Sequence, residues 1–325
     1  MTVIIAGCNI LFLFILKWAV YGYLLSNILA FFISTLFFLF SVKIKRYIAI
    51  DTVDFSIIKK MLNYSIPLIP NYSMWWLVNG STRYIILFFI GTSGNGLFAV
   101  ANKIPSLISM LTDIFSQAWQ LSAFEEYESN DKSVFYSKVF EFYYQVLFIL
   151  GSLLLIILKP AISFLLDSSY FSSWKLIPFL IIAVIYQTFS GFIGSIYTAA
   201  INTKGVLTSS MLASLVSIGL NFILLPTMGL IGASVSMAIS FITMFFLRLK
   251  QTRKLVYTSI DMKKFLLLNT VLFSQIFVLY QSSNNIIFLL SNIFLLSFLL
   301  FLCRSLLCDI KKIVENFIVL NVKKR

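Results

Sequence analysis

Two basic residues lie well inside apolar segments of the sequence, where charged side chains are rare. Arg83 precedes the glycine-rich stretch 91–96 by eight residues, and Lys103 follows it by seven. If each flanking segment is a helix, both cations lie roughly 10–12 Å below the same membrane face. The nearest intramembrane carboxylate, Asp113, lies ten residues beyond Lys103, which is about 15 Å along a helix. The two cations therefore lack a nearby negative charge, and an anionic ligand can supply it.

Further polar and aromatic residues recur beside the two cations at spacings of three and four residues, which places them on common helix faces. A polar stripe on a helix in lipid must face protein or water, since an unsatisfied polar group there costs several kcal/mol. We therefore interpret the two segments as lining one cavity. The candidate binding residues are Arg83, Lys103, Asn79, Trp76, Asp113, Gln117 and Gln120.

Simpler roles for these side chains stay open. Arg83 and Lys103 can extend to the outer headgroups, because the reach of the side chains roughly matches their depth. The amides can form hydrogen bonds between helices. Trp76 and its neighbour Trp75 can fill space between helices, or they can present a flat face to a sugar ring or a lipid.

The composition places the chain in a membrane. Hydrophobic residues make up 60% of it, charged residues only 11%, and the mean hydropathy is +0.96, far outside the range of soluble domains. The net charge of +13 comes from short basic runs between apolar segments, which membrane orientation and anionic lipid explain without a nucleic-acid partner. The sequence thus predicts an all-α, polytopic membrane protein.

No residue pattern indicates catalysis or a cofactor. The sequence has no histidine, and its three cysteines, Cys8, Cys303 and Cys308, lack the spacing of a metal site. It contains no phosphate-binding loop and no nucleophile elbow. We therefore predict no catalytic residue, no metal and no cofactor.

About ten apolar segments are long enough to be membrane helices. The basic runs between them, including one from Arg248 to Lys264, place both termini in the cytoplasm by the positive-inside rule. The glycine-rich stretch 91–96 is predicted as a turn outside the lipid, and residues 159–175 as the longest outer loop. The predicted helices cover approximately 2–16, 22–42, 65–90, 97–120, 142–158, 176–201, 206–225, 230–249, 265–280 and 286–303.

These segments group into five regions. The first and the third are helical groups, separated by an amphipathic connector that lies along the cytoplasmic surface. The regions are two helices of an incomplete bundle in 1–42, the connector in 43–63, a six-helix bundle in 64–249, a basic loop with two additional helices in 250–303, and a basic cytoplasmic tail in 304–325.

The central hairpin carries a set of motifs that points to a family. The matching residues are Pro67, Pro70, Asn71, Trp75, Trp76, Asn79, Arg83, Tyr84, Asn95, Gly96, Ala101, Asn102, Lys103, Pro105, Gln117, Ala118, Trp119 and Gln120. On these residues the chain resembles the lipid-linked oligosaccharide flippases of the polysaccharide transporter family, within the multidrug/oligosaccharidyl-lipid/polysaccharide exporter superfamily. The resemblance continues through 168–180 and 226–236 and covers most of residues 20–250.

The resemblance implies two six-helix bundles around a V-shaped cavity with alternating access. It implies transport of an undecaprenyl-pyrophosphate-linked oligosaccharide across the bacterial cytoplasmic membrane, for capsule or O-antigen synthesis, with membrane lipid and a polysaccharide polymerase machinery as partners. Arg83 and Lys103 occupy the positions expected to hold the pyrophosphate. Thr82 departs from the family, which commonly has an acidic residue there.

The chain also has fewer helices than such flippases. Its opening pair matches the last two helices of the first bundle, so several N-terminal spans are expected to be missing. The chain is then a fragment, the product of a disrupted gene, or one half of a split transporter whose N-terminal half is a separate partner.

Three other functions stay open. A multidrug antiporter of the related exporter branch prefers an acidic cavity for cationic drugs, which two cations and one distant Asp113 do not provide. A membrane polysaccharide polymerase or ligase needs a substantial outer catalytic loop, and the predicted outer loops are short. The third is a remnant that transports nothing.

Overall fold

A computed structural model of the chain describes residues 2–41, 54–66, 68–165, 167–281 and 285–304. This described part is helical, with no β-strand, which confirms the predicted all-α class. The chain divides into two compact units, residues 1–61 and 62–325. The predicted runs 43–53 and 305–325, with their basic clusters, and Pro67 lie outside the described residues.

The first unit contains a packed pair of helices. Helix α1 covers Thr2–Asn9 and continues as a π-helical segment over Ile10–Ile15, and α2 covers Ala19–Ser41. The buried residues of α2 are Gly22, Ser26 and Ala30. They recur every four residues, so one face of small side chains lets α1 approach closely. Helix α3, Phe55–Ser65, extends across the division at residue 61, has no buried residue and is amphipathic; the connector over 43–63 stays a prediction.

The second unit is a bundle arranged around one central helix. Helix α8 packs against α6, α7, α9 and α10, and 17 of its 23 residues are buried. In chain order the elements are α4 Leu68–Phe89, α5 Thr92–Ala101, α6 Pro105–Glu126, α7 Lys132–Leu165, a 3₁₀ segment Ser168–Lys175, α8 Ile177–Ala199, α9 Thr203–Met228, α10 Leu230–Thr252, α11 Met262–Gln281 and α12 Asn285–Leu302.

Aromatic rings fill the core around α8. The ring of Phe189 on α8 lies 5.5 Å from Phe140 of α7, 5.6 Å from Phe245 of α10 and 5.9 Å from Phe265 of α11, measured between centroids. Edge-on and tilted pairs at such distances stabilise a core beyond the area that they bury. These contacts fix three helices around α8.

We predicted ten membrane-spanning helices, but fewer of the described helices are long and apolar enough to cross a membrane. Six of the described helices are long and apolar enough, and α5 with α6 gives a seventh if this bent pair is one span. Helices α1 and α12 fall short because their apolar parts are brief, and α4, which carries Asn71, Asn79 and Arg83, is not among the six. The six are Ala19–Ser41, Lys132–Phe164, Ile177–Ala199, Lys204–Met228, Leu230–Thr252 and Met262–Gln281.

Charged contacts join α7 and α11 near both ends. At the first turn of α11, the Lys264 ammonium lies 3.0 Å from a carboxylate oxygen of Glu141, which lies in the first half of α7. Towards their other ends, Lys159 donates a hydrogen bond of 3.0 Å to the Leu279 carbonyl, and its Nζ lies 4.6 Å from the ring centroid of Trp174. The two helices therefore lie side by side with a fixed register.

The predicted outer loop 159–175 is largely helical, which corrects the sequence interpretation. Helix α7 continues to Leu165 in spite of Pro160, and the 3₁₀ segment fills most of the remainder. The Asp167 carboxylate caps this segment by accepting a hydrogen bond of 2.9 Å from the Ser169 backbone N–H. That hydrogen bond holds the pKa of Asp167 below its usual value.

Candidate functional site

The first candidate site is a cavity of about 500 Å³ that we call the Arg83 cavity. Three of the predicted binding residues, Trp76, Asn79 and Arg83, lie together in its wall. Two asparagines that the sequence interpretation had not selected, Asn95 and Asn102, lie there as well. The complete lining is Trp76, Asn79, Gly80, Arg83, Tyr84, Leu87, Asn95, Phe98, Asn102 and Met237.

Helix α4 contributes Trp76, Asn79 and Arg83 to this cavity, at intervals of three and four residues that place them on one face of the helix. Trp76 is 57% exposed and packs against Tyr84 with 6.1 Å between ring centroids. The Asn79 Nδ2 group donates a hydrogen bond of 3.0 Å to the Trp75 carbonyl one turn earlier. Arg83 is exposed, and the one ion pair among the described residues is elsewhere, between Lys264 and Glu141. The guanidinium therefore lines the cavity without a carboxylate partner in the described structure.

The stretch 91–96 does not form the turn that we predicted from its composition. Gly91 alone reverses the chain, with φ of 94°, a backbone conformation that glycine adopts without steric cost. Helix α5 begins at the next residue, Thr92. A helix satisfies its own backbone hydrogen bonds, which matters more in an apolar environment than the weak helical propensity of these residues. As a result Asn95 and Asn102 reach the cavity from α5 and its end.

Lys103 lies at a break between two helices. The predicted continuous helix 97–120 is wrong, since α5 ends at Ala101 and α6 begins at Pro105 with a bend of 52°. Proline has no N–H and its fixed φ suits the first helical turn. Lys103 is exposed in this break, and it is absent from the lining of the Arg83 cavity, although its neighbour Asn102 is present.

The remaining predicted residues lie on α6. Asp113, Gln117 and Gln120 are all exposed. Gln120 lines a second cavity, whereas neither Asp113 nor Gln117 is in the lining of that cavity or of the Arg83 cavity. The structure thus brings three of the seven predicted residues together in one wall, and a binding role for all seven stays a prediction.

The second cavity, of about 360 Å³, is named here the Arg248 cavity. Residues of α4, α6, α7, α8, α9 and α10, together with Tyr64 near the end of α3, line it. Its wall combines aromatic rings, amides, hydroxyls and one cation. The lining is Tyr64, Asn71, Trp75, Phe115, Ser116, Trp119, Gln120, Phe124, Tyr143, Gly191, Phe192, Gly194, Ser195, Thr198, Val206 and Arg248.

Arg248 is almost entirely buried, with 2% of its surface exposed, which corrects its prediction as part of a cytoplasmic loop. Its Nε donates to the Ser209 hydroxyl at 3.0 Å, Nη1 to the Ser190 carbonyl at 2.7 Å and Nη2 to the Ser210 hydroxyl at 2.9 Å. Its guanidinium carbon lies 5.7 Å from the ring centroid of Trp75. All these partners are neutral, so among the described residues dipoles and an aromatic ring stabilise the positive charge.

The sequence contains a signal for this buried position. Gly232, Ser236 and Ser240 are buried at intervals of four residues on α10, and Arg248 continues the same series through Met244. We missed it because Lys250 and Arg253 follow closely and made the region resemble a basic loop.

Thr82 contributes a contact between helices. It is fully buried, and its hydroxyl oxygen accepts a hydrogen bond of 3.1 Å from Asn221 Nδ2 on α9. At the position where the resembled family commonly has an acid, this chain therefore joins α4 to α9 through a neutral hydrogen bond.

We predict that Arg248→Met leaves the stability of the protein nearly unchanged. The variant loses three hydrogen bonds from a charged group, which contribute about 1.5–3 kcal/mol each to stability. It also avoids the cost of burying a guanidinium, which is several kcal/mol and largely offsets that loss. Ser209 and Ser210 keep hydrogen bonds to Val206 and Asn71. Thermal unfolding of the purified protein should shift by less than the equivalent of about 2 kcal/mol.

Arg248→Ala is the comparison for this measurement, because it also leaves an empty volume and should cost about 2–5 kcal/mol more. Equal destabilisation by Met and Ala would show that the hydrogen bonds outweigh the burial cost of the charge.

Comparison with solved structures identifies a similar fold. A structure described as "Lipid II flippase MurJ, inward closed conformation" matches with a TM-score of 0.60 at 17% sequence identity, over 95% of this chain and 66% of that chain. This chain therefore spans slightly less than two thirds of that protein's length. No protein-family model and no curated protein sequence matches. The chain is a multi-pass membrane protein whose helical fold is similar to that of this MurJ structure.

Proposed function

We propose that this chain forms all or part of a flippase for undecaprenyl-pyrophosphate-linked oligosaccharide repeat units in the bacterial cytoplasmic membrane. The transported units would serve capsule or O-antigen synthesis. The observation that carries the proposal is the Arg83 cavity, in which a guanidinium with no carboxylate partner among the described residues lies beside amides and aromatic rings. The similar fold of a lipid II flippase supports a lipid-linked substrate.

The chemistry of the cavity suits a pyrophosphate. The guanidinium of Arg83 offers a planar pair of N–H donors that matches two phosphate oxygens. The side-chain amides of Asn95 and Asn102 provide neutral donors in the same wall, and the rings of Trp76 and Tyr84 provide flat apolar surface for the first sugar. An acidic cavity for cationic drugs does not have this donor set, which disfavours the antiporter alternative.

A polar stripe on α6 supplies a surface for the passage of the head group. Asp113, Gln117 and Gln120 recur at spacings of four and three residues and are exposed along that helix. Such a stripe in a membrane must face water or protein. We propose that it borders an aqueous path along which the oligosaccharide moves, with Lys103 at the bend beside it.

We further propose the topology and assembly that the sequence suggested. Both termini lie in the cytoplasm, residues 64–249 act as the C-terminal bundle, and residues 1–42 belong to the first bundle, which a separately encoded N-terminal half is one way to complete. Alternating access then arises as the two bundles rock against one another. Polysaccharide polymerase machinery receives the translocated unit.

The test is complementation of a bacterial strain that lacks its own lipid-linked oligosaccharide flippase. The chain is expressed alone and together with a candidate N-terminal half, and surface polysaccharide is measured after membrane insertion has been confirmed. We expect restored polysaccharide in at least one arrangement. Restoration by the chain alone would remove the need for a second polypeptide, and failure of both arrangements across strains with different repeat units would contradict the proposed function.

A further inference from the structure

The Arg248 cavity has an excess of hydrogen-bond donors and positive charge. Its sixteen lining residues include Arg248 but no aspartate or glutamate. A guanidinium has five N–H groups, and three of those on Arg248 bind Ser190, Ser209 and Ser210. Two N–H groups are therefore left without an acceptor among the described residues.

Two amides add to this donor set. The Asn71 side chain accepts a hydrogen bond of 2.6 Å from Ser210 through Oδ1, so its Nδ2 group is oriented by the same network that holds Arg248. Gln120, on α6, also lines the cavity, and its side chain is exposed. A buried cation with free donors beside it binds an anion more strongly than the same groups do in water.

The rest of the wall suits a ring that carries hydroxyl groups. Phe115 stacks on Tyr143 with 4.2 Å between centroids, and Trp119 stacks on Phe192 with 4.3 Å. This rigid aromatic wall stands beside the hydroxyl of Ser116. The volume of about 360 Å³ lies within the range of small-molecule sites.

The Arg248 cavity is separate from the Arg83 cavity. Both use α4, but Trp75, which contacts Arg248, precedes Arg83 by eight residues, or roughly 12 Å along the helix. A ligand in one cavity therefore does not need the cation of the other.

We propose that the Arg248 cavity is a binding site for an acidic sugar, with a carboxylate or phosphate group on Arg248 and sugar hydroxyls on Asn71 and Gln120. This inference depends on the cavity alone and holds whether or not the chain transports a lipid-linked substrate. A sugar carboxylate and a sugar phosphate share the required chemistry, and the experiment separates them.

The experiment measures tryptophan fluorescence of the purified full chain in nanodiscs, because Trp75 and Trp119 line the cavity. The titrants are glucuronate, glucose 1-phosphate, glucose and inorganic phosphate. We expect saturable binding of at least one acidic sugar, with glucose and inorganic phosphate at least tenfold weaker. Equal binding of glucose would refute the role of the charge, equal binding of inorganic phosphate would refute a sugar site, and no saturable response to either acidic sugar would refute the proposal altogether.

A cavity-filling variant tests the location without disturbing Arg248. Gly191 lines the cavity, and a Cβ added there meets no atom within 4 Å, so Gly191→Leu occupies the cavity and leaves the hydrogen bonds of Arg248 intact. Its affinity for the acidic sugar should fall at least tenfold. Gly219→Leu on α9 is the matched control, since its Cβ also meets no atom within 4 Å and it lies outside the cavity lining. Unchanged binding by Gly191→Leu, or an equal loss in both variants, would overturn the assignment.

Discussion

Arg83→Gln is expected to abolish surface polysaccharide in the complemented strain, in whichever arrangement the unaltered chain restores it. Glutamine keeps an amide in the Arg83 cavity but removes the charge and the paired donors. Hydrogen bonds between charged groups contribute about 1.5–3 kcal/mol each, so loss of two weakens phosphate binding by roughly two to four orders of magnitude. Arg83→Lys keeps the charge without the planar fork and should give an intermediate export level.

Lys103→Gln is the matched control for this prediction. It removes the same charge from the other predicted cation, which lies in the break between α5 and α6 and does not line the cavity. We expect a much smaller reduction of export than with Arg83→Gln, at equal amounts of protein in the membrane. Equal losses would support the prediction from the sequence that both cations hold the same pyrophosphate, and an unaffected Arg83→Gln variant would remove Arg83 from the site.

Gly232→Ala should destabilise the protein strongly. A Cβ at this position lies 2.2 Å from the Leu224 carbonyl oxygen and 2.5 Å from the Leu224 carbonyl carbon. These are backbone atoms of α9, so relief of the clash requires the two helices to separate. Overpacking of a close contact costs about 1–3 kcal/mol and more where backbone must move. The apparent melting temperature of the purified protein should therefore fall by roughly 5–10 °C.

Gly219→Ala provides a control of opposite sign on the same pair of helices. A Cβ there meets no atom within 4 Å, and alanine stabilises an exposed helix position by about 0.5–1 kcal/mol relative to glycine. The melting temperature should rise slightly. A decrease equal to that of Gly232→Ala would show that the effect comes from loss of glycine in general, and not from the α9–α10 contact.

The sequence predicted the helical stripes better than the ends of helices. On α10, for example, Gly232, Ser236 and Ser240 recur at intervals of four residues in the sequence, and all three are buried. The start of α5 was missed, because threonine, serine, glycine and asparagine favour turns in water, whereas burial of Phe98 and Ala101 favours a helix here. Packing against distant segments makes this stretch helical, and the local helix propensity of its residues does not reveal such packing.

The candidate site shows the same division. The spacing of Trp76, Asn79 and Arg83 on one helix was sufficient to place them in one wall. The position of Lys103 required the bend at Pro105, which the spacing of residues along an uninterrupted helix does not reveal. Arg248 was missed because its neutral partners come from α8 and α9, 38 to 58 residues earlier in the chain.

The contacts between α7 and α11 have a mechanical consequence. Two contacts join these helices: the ion pair of Glu141 with Lys264, and the hydrogen bond from Lys159 to the Leu279 carbonyl. If one helix moved past the other by a single turn, both contacts would break together. We therefore expect α7 and α11 to move together as one rigid pair. The reversal at Gly91 and the bend between α5 and α6 lie outside this pair, beside the wall that holds Arg83, and we expect deformation of the unit to concentrate there.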